Sequence, residues 1–134
     1  MKESEGANMD IILILLSMIF LHIIDDYKLQ GILASMKQRK WWEEQKEYKK
    51  LYKHDYIPAL IEHSFSWAFM IMLPIAVALQ FNIGWWVVAY IINMLIHAFV
   101  DDLKANKLKI NLVIDQTIHI VQIVATWLIF AWVS

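Results

Sequence analysis

Histidine and aspartate recur four residues apart at three places in the chain: His22 with Asp26, His97 with Asp101, and Asp115 with His119. On a helix that spacing puts both side chains on one face, about 40° apart around the axis and about 6 Å along it. A random order of this composition would produce about 0.5 such pairs, so three is a pattern. Neutral imidazole and carboxylate are donors for Zn²⁺, Mn²⁺ or Fe²⁺. Another histidine in apolar surroundings, His63, has no carboxylate on its own face, because Glu62 points about 100° away from it. His54 sits in a basic stretch and reads as a solvated residue.

The elements that must carry these side chains are set by the distribution of charge. Of 134 residues, 60% are apolar and 19% charged, against about 45–50% and about 25% in soluble domains. Segments 9–24, 57–79, 85–100 and 112–133 hold only three of the 25 charged side chains, and none of the three is Lys or Arg. Apolar stretches of this length come close to crossing a ~30 Å hydrocarbon layer as helix. The expected fold is therefore all-α, a four-transmembrane-helix bundle with helices at about 9–29, 57–79, 85–101 and 112–133, using residues 1–134 as one domain. The absence of Cys excludes disulfides, thiolate metal sites and Cys nucleophiles, and three glycines leave no phosphate-cradling loop. A net charge of −1 gives no reason to expect nucleic acid as a partner.

Lys and Arg number one in the leading tail, eight in 28–56, none in 80–84, three in 101–111 and none at the C-terminus. That bias places 28–56 and 101–111 in the cytoplasm and both termini outside it. The first apolar run lacks a cleavage site of the A-x-A kind and passes into Asp25-Asp26, so it is expected to be retained as a helix. In the long connection 30–56, Trp41, Trp42, Tyr48, Leu51, Tyr52 and Tyr56 alternate with Lys37, Arg39, Lys40, Lys46, Lys49, Lys50 and Lys53. This composition suits a basic amphipathic helix in the cytoplasmic headgroup plane, sinking its rings and leaving its ammonium groups near anionic lipid; a solvated basic hairpin is the alternative. Asp55 and Pro58 suit the start of the second membrane helix, and Pro74 is expected to kink it.

With that topology, all four helices bring His or Asp to the same cytoplasmic rim. His22/Asp26 and His97/Asp101 close inward-running helices, His63 lies roughly 8 Å beyond Pro58, and Asp115/His119 opens the last helix. Asn111, Asp115, His119, Gln122 and Thr126 form one stripe, and Asn93, His97 and Asp101 another; both are expected to face the bundle interior. The seven donors His22, Asp26, His63, His97, Asp101, Asp115 and His119 exceed what one catalytic zinc takes from protein, so either two divalent ions bind, Zn or Mn/Fe, which is the favoured expectation, or some of the aspartates stand behind histidine ligands and orient them. A two-metal site activates water and clamps a phosphate. Asp25 and Asp102 are the candidate proton acceptors, and Lys28, Lys104 and Lys107 could draw in phosphate.

The run His22-Ile-Ile-Asp25-Asp26-Tyr27-Lys28-Leu29-Gln30 resembles the His-x3-Asp-Phe-x-Leu-Gln signature of a family of small bacterial and phage integral membrane proteins. Tyr27 stands where the family has Phe, and the basic connection is long. His63, His97-x3-Asp101 with Lys104, and Asp115-Gln116-x2-His119 are similar to the family's later motifs in the same order, so the resemblance spans about residues 13–133. The family is related to inner-membrane metal-dependent hydrolases. The resemblance implies metal ligation at these positions and a multi-pass place in a bacterial inner membrane.

The function expected from these residues is a membrane-embedded, metal-dependent hydrolase acting on a phosphoester of a lipid or lipid-linked headgroup at the cytoplasmic leaflet. Two other classes stand beside it. One is a non-catalytic phage or host membrane interaction protein in which metal only fixes the bundle. The other is a proton or cation pathway, which His/Asp chains also build, although the polar stripe thins beyond Gln122 and Thr126. Bis-His haem would not call for an aspartate four residues from three of the histidines.

Overall fold

A computed structural model of the chain describes residues 2–45, 50–79 and 83–133, and every regular element among them is helical. Four long helices carry the fold: α1 (Lys2–Ile24), α4 (Tyr56–Ala78), α5 (Ile83–Ala105) and α6 (Leu112–Val133). Two short ones, α2 (Leu33–Met36) and α3 (Arg39–Glu43), lie between α1 and α4. The long helices pack in a ring, α1 on α4, α4 on α5, α5 on α6, and α6 back on α1.

Three of them, α4, α5 from Gly84 onward, and α6, are long and apolar enough to cross a membrane. Their outer faces bear Phe65, Leu95, Val121 and Trp132, all more than half exposed, and α1 presents Leu13 and Phe20 in the same way. The interior holds Asn93, Gln122, Thr126 and the His/Asp residues. Polar groups inside and large apolar side chains outside are the arrangement expected where the surrounding solvent is hydrocarbon. One end of the ring interior is apolar: Met18, Trp67, Ile71, Met72, Ile75, Ile123 and Phe130 form a continuous core. Pro74 lies inside α4, which continues through it to Ala78.

The helix ends depart from the expected boundaries for local reasons. The first helix ends in a five-residue π-helical turn, Asp25–Leu29. Its wider ring reorients successive side chains, and both Asp25 and the Asp26 carboxylate are buried. The chain then reverses at Gly31, whose φ of +49 suits a residue without Cβ. The third long helix runs one turn past Asp101 because nothing in Asp102-Leu103-Lys104 interrupts it. It stops where Leu108 takes a left-handed φ of 51 and the Lys109 N–H returns to the Leu103 carbonyl at 2.9 Å. Asp55 occupies the N-cap of α4 without a side-chain cap hydrogen bond. Asn111, placed on the polar stripe by spacing, instead accepts the Ile114 N–H at 2.9 Å and caps α6.

Instead of one long basic helix, the described part of the connection forms α2 and α3, separated by the extended Gln38. Lys46, Tyr48 and Lys49 of the expected amphipathic helix, and residues 80–82 of the expected outer turn, lie outside the described residues. The strap made by residues 31–44 folds over the end of the bundle. Asn106 ties it down: its Oδ1 accepts the Arg39 N–H at 2.7 Å, and its Nδ2 donates to the Lys37 carbonyl at 3.1 Å. Trp42 donates its indole N–H to the Met36 carbonyl at 2.6 Å, and the Arg39 guanidinium donates to the Tyr56 hydroxyl at 2.9 Å. Asn106→Ala should free the strap at a cost of about 1–3 kcal/mol from the two lost bonds. Hydrogen exchange checks this: the Arg39 amide should exchange faster while amides in the middle of α4 keep their protection.

Candidate metal centre

Each long helix delivers its part of the site where its apolar run gives way to polar residues. α1 and its π turn bring His22, Asp25 and Asp26; α4 brings His63; α5 brings His97 and Asp101; α6 brings Asp115 and His119. All four histidines, with Asp25, Asp101 and Asp115, are at most 1% exposed.

The donor atoms converge. His63 Nε2 lies 2.9 Å from His97 Nε2, 3.1 Å from Asp101 Oδ2 and 3.7 Å from Asp26 Oδ1. His119 Nε2 stands 3.4 Å from Asp101 Oδ1 and 3.3 Å from Asp115 Oδ1. Two triads could hold an ion, Asp26/His63/His97 and His97/Asp101/His119, each with its ligand atoms within 4.8 Å of one another. His97 belongs to both. A neutral imidazole has one lone pair to give, its other nitrogen carrying the proton, so neutral His97 serves one triad at a time.

Trp67 fixes the imidazoles. Its indole stacks on His97 at 4.0 Å and 15°, and its N–H donates to His22 Nδ1 at 2.8 Å. An accepting Nδ1 leaves the proton of neutral His22 on Nε2, which donates to Gln116 Oε1 at 3.1 Å. The Gln116 amide then donates to Asp26 Oδ2 at 2.9 Å, while Gln30 donates to Asp26 Oδ1 at 2.7 Å. Both nitrogens of His22 are engaged, so in this arrangement it stands behind Asp26 and belongs to neither triad.

Two lysines reach the cluster. Lys37, 5% exposed, comes down from the strap and pairs with Asp101 Oδ2 at 2.5 Å and with Gln30 Oε1 at 3.2 Å. Lys104, one turn past Asp101, pairs with Asp115. The ammonium groups offset two of the three buried carboxylates of the expected ligand set, which would otherwise be costly to leave ionised.

The candidate proton acceptors differ in placement. Asp25 accepts the Ser66 hydroxyl at 2.6 Å and keeps a buried Oδ2 without a hydrogen-bond partner. Asp102 is at the rim, held by Lys107 at 2.9 Å and Asn106 at 3.0 Å, and is not among the converging groups. Lys107 is thereby committed to Asp102, and Lys28 is exposed.

Sequence reasoning assigned no role in the site to Trp67, Ser66, Gln30 or Gln116, and counted Lys37 among lipid-facing lysines. The two glutamines carry a signal, since both sit inside the quoted motifs. Lys37 carries none, because it is one cation of a basic run and 64 residues separate it from Asp101.

The donor set fits a divalent cation. His119 Nε2 and Asp115 Oδ1 are buried without a hydrogen-bond partner although they face one another at 3.3 Å. Buried polar atoms are normally satisfied, and a shared cation would satisfy both. Two imidazoles and one carboxylate match the ligation of catalytic Zn²⁺ and of non-haem Fe²⁺. No family model, curated protein or solved structure matches the chain.

Proposed function

We propose that this chain is a membrane-embedded, metal-dependent hydrolase acting on a phosphoester of a lipid or lipid-linked headgroup at the cytoplasmic leaflet of a bacterial inner membrane. The observation that carries the reading is the convergence of buried His and Asp donors from four helices inside a shell of lipid-compatible side chains. In this reading α1 is a fourth crossing, the basic strap faces the cytoplasm, and both termini lie outside. The likeness of the motifs to the small bacterial and phage membrane family is part of the same proposal.

His97, Asp101 and His119 hold the ion. One ion at a time is the better fit than the two expected from the number of donors, because His97 is common to both triads. When bound, a divalent ion supplies Lewis acidity toward water and toward a phosphoryl oxygen. The chain's own residues supply the rest. Asp115 Oδ1, 3.3 Å from His119 Nε2, would face the same ion, and His22, through Gln116, positions Asp26. Lys104, partly exposed beside Asp115, attracts the anionic phosphate. Asp25, buried with an Oδ2 that has no hydrogen-bond partner, is the better-placed proton acceptor, whereas Asp102 stands at the rim with its carboxylate committed to Lys107.

The polar ladder above the centre disfavours a transmembrane path. Gln122 donates to Asn93 Oδ1 at 2.8 Å and Asn93 to Thr126 at 3.0 Å, but one turn further the described interior is Phe130, beside Ile75 and Ile123.

Elemental analysis of the detergent-solubilised chain, purified without chelator, should find about one Zn, Mn or Fe per chain. Vesicles of mixed phospholipids should then lose headgroup in its presence, and chelation should stop the loss. Absence of transition metal overturns the reading; metal without headgroup release from any phospholipid leaves the interaction protein.

A further inference from the structure

The centre is covered on its aqueous side. The strap lies over the bundle end, Asn106 clamps it, and the Lys37 side chain fills the approach to Asp101. A different approach exists at the side of the bundle. Between the π turn and the first half of α6 runs a groove of about 500 Å³ whose walls include Tyr27, Val113, Gln116, Ile120 and Val121. It faces the surrounding hydrocarbon, for Tyr27, Val113 and Val121 are all more than half exposed.

Three features point to its occupant. The first is its link to the centre: Gln116, in the wall, bonds His22, Asp26 and Asp115, so a molecule in the groove touches the network that holds the candidate ligands. The second is length. From Val113 to Val121 the helix rises about 12 Å, close to the ~15 Å depth of one leaflet's hydrocarbon. The third is charge: Lys28, next to Tyr27 in the chain, and Lys109, three residues before α6, are both exposed, and in the proposed topology both belong to the cytoplasmic side, where an anionic headgroup would lie.

From this we infer that the groove between the π turn and α6 binds one acyl chain of an anionic phospholipid and presents its phosphate to the centre sideways, past Gln116. The inference rests on the hydrolase reading for calling that lipid a substrate. In that setting Gln116 is a positioning residue that joins the lipid slot to Asp26, and the strap excludes water-soluble phosphoesters.

The full chain is placed in vesicles of phosphatidylethanolamine and phosphatidylglycerol containing a phosphatidylglycerol with a photoactivatable diazirine on one acyl chain. Labelling should be saturable, should fall on Tyr27 and on residues 113–121, and should be displaced by unlabelled phosphatidylglycerol. Val121→Trp, which fills the slot from the lipid side, should lower it about tenfold, a loss of one decade in affinity. Leu95→Trp, equally exposed to lipid but on α5, should not. Labelling spread evenly over the lipid-facing helices, or unchanged by Val121→Trp, overturns the slot. Headgroup release by the wild type is read in parallel. Saturable labelling with no release of any headgroup keeps the slot and removes the hydrolase; release with evenly spread labelling does the reverse.

Discussion

Replacing His97 with alanine should reduce metal bound to the purified chain from about one ion to background, a loss of at least 100-fold in affinity by comparison with changes at groups that merely support ligands. The size of the effect follows from its place in the site. His97 is fully buried and belongs to both donor triads, so its removal leaves neither with three ligands. Alanine also takes away the ring stacked on Trp67 and leaves a cavity, destabilising the bundle by about 2–4 kcal/mol. His97→Gln separates the two effects, since it fills most of the space with a much poorer donor. It should remain folded by circular dichroism and still lose the metal. Asp102→Ala, at the rim, should keep it. Wild-type metal content in folded His97→Gln would place the ion elsewhere.

The second large effect should come from Lys37→Met, and its sign should depend on metal. With chelator present, the variant loses the ammonium that sits 2.5 Å from Asp101 and leaves the buried carboxylate with only imidazoles beside it. Breaking one side of a buried pair costs about 3–5 kcal/mol. With zinc present, a divalent ion on Asp101 no longer competes with an ammonium for the same carboxylate. Binding should be tighter than in the wild type, and saturating ligand returns stability by mass action, about 2.7 kcal/mol at a hundred times the dissociation constant. Thermal unfolding in detergent with and without zinc tests this. A variant that is equally destabilised in both conditions makes Lys37 a structural counter-ion only, and the ion would not lie on Asp101.

The long helices were readable because their signal is compositional. Runs such as Ile57 to Leu79 contain one charged residue, and the boundaries expected from that run differ by a single residue at each end from Tyr56–Ala78. The end of the first helix was not readable in the same way. Nothing in Asp25-Asp26-Tyr27-Lys28-Leu29 marks a π turn, whose extra residue per turn is decided by what the carboxylates meet, Ser66 for Asp25 and two glutamine amides for Asp26. The basic connection was misleading for a related reason. Its aromatic and cationic residues fit a surface helix by spacing, yet Gln38 breaks the described part into two short helices, and Lys37 turns inward.

What the order of residues decides unaided is which groups can meet at all. A four-residue spacing on a helix is geometry local to that helix, and the places where apolar runs end set the level of each pair along the bundle. Which of those groups would touch a metal, and which stand behind, depends on distances between helices far apart in the chain. His22 and Asp26 are one turn apart on the same face, yet both ring nitrogens of His22 are taken by Trp67 and Gln116, while Asp26 points at His63. A hydrogen bond is settled within a few tenths of an ångström, and only the packing of four helices and a strap brings these atoms to that precision.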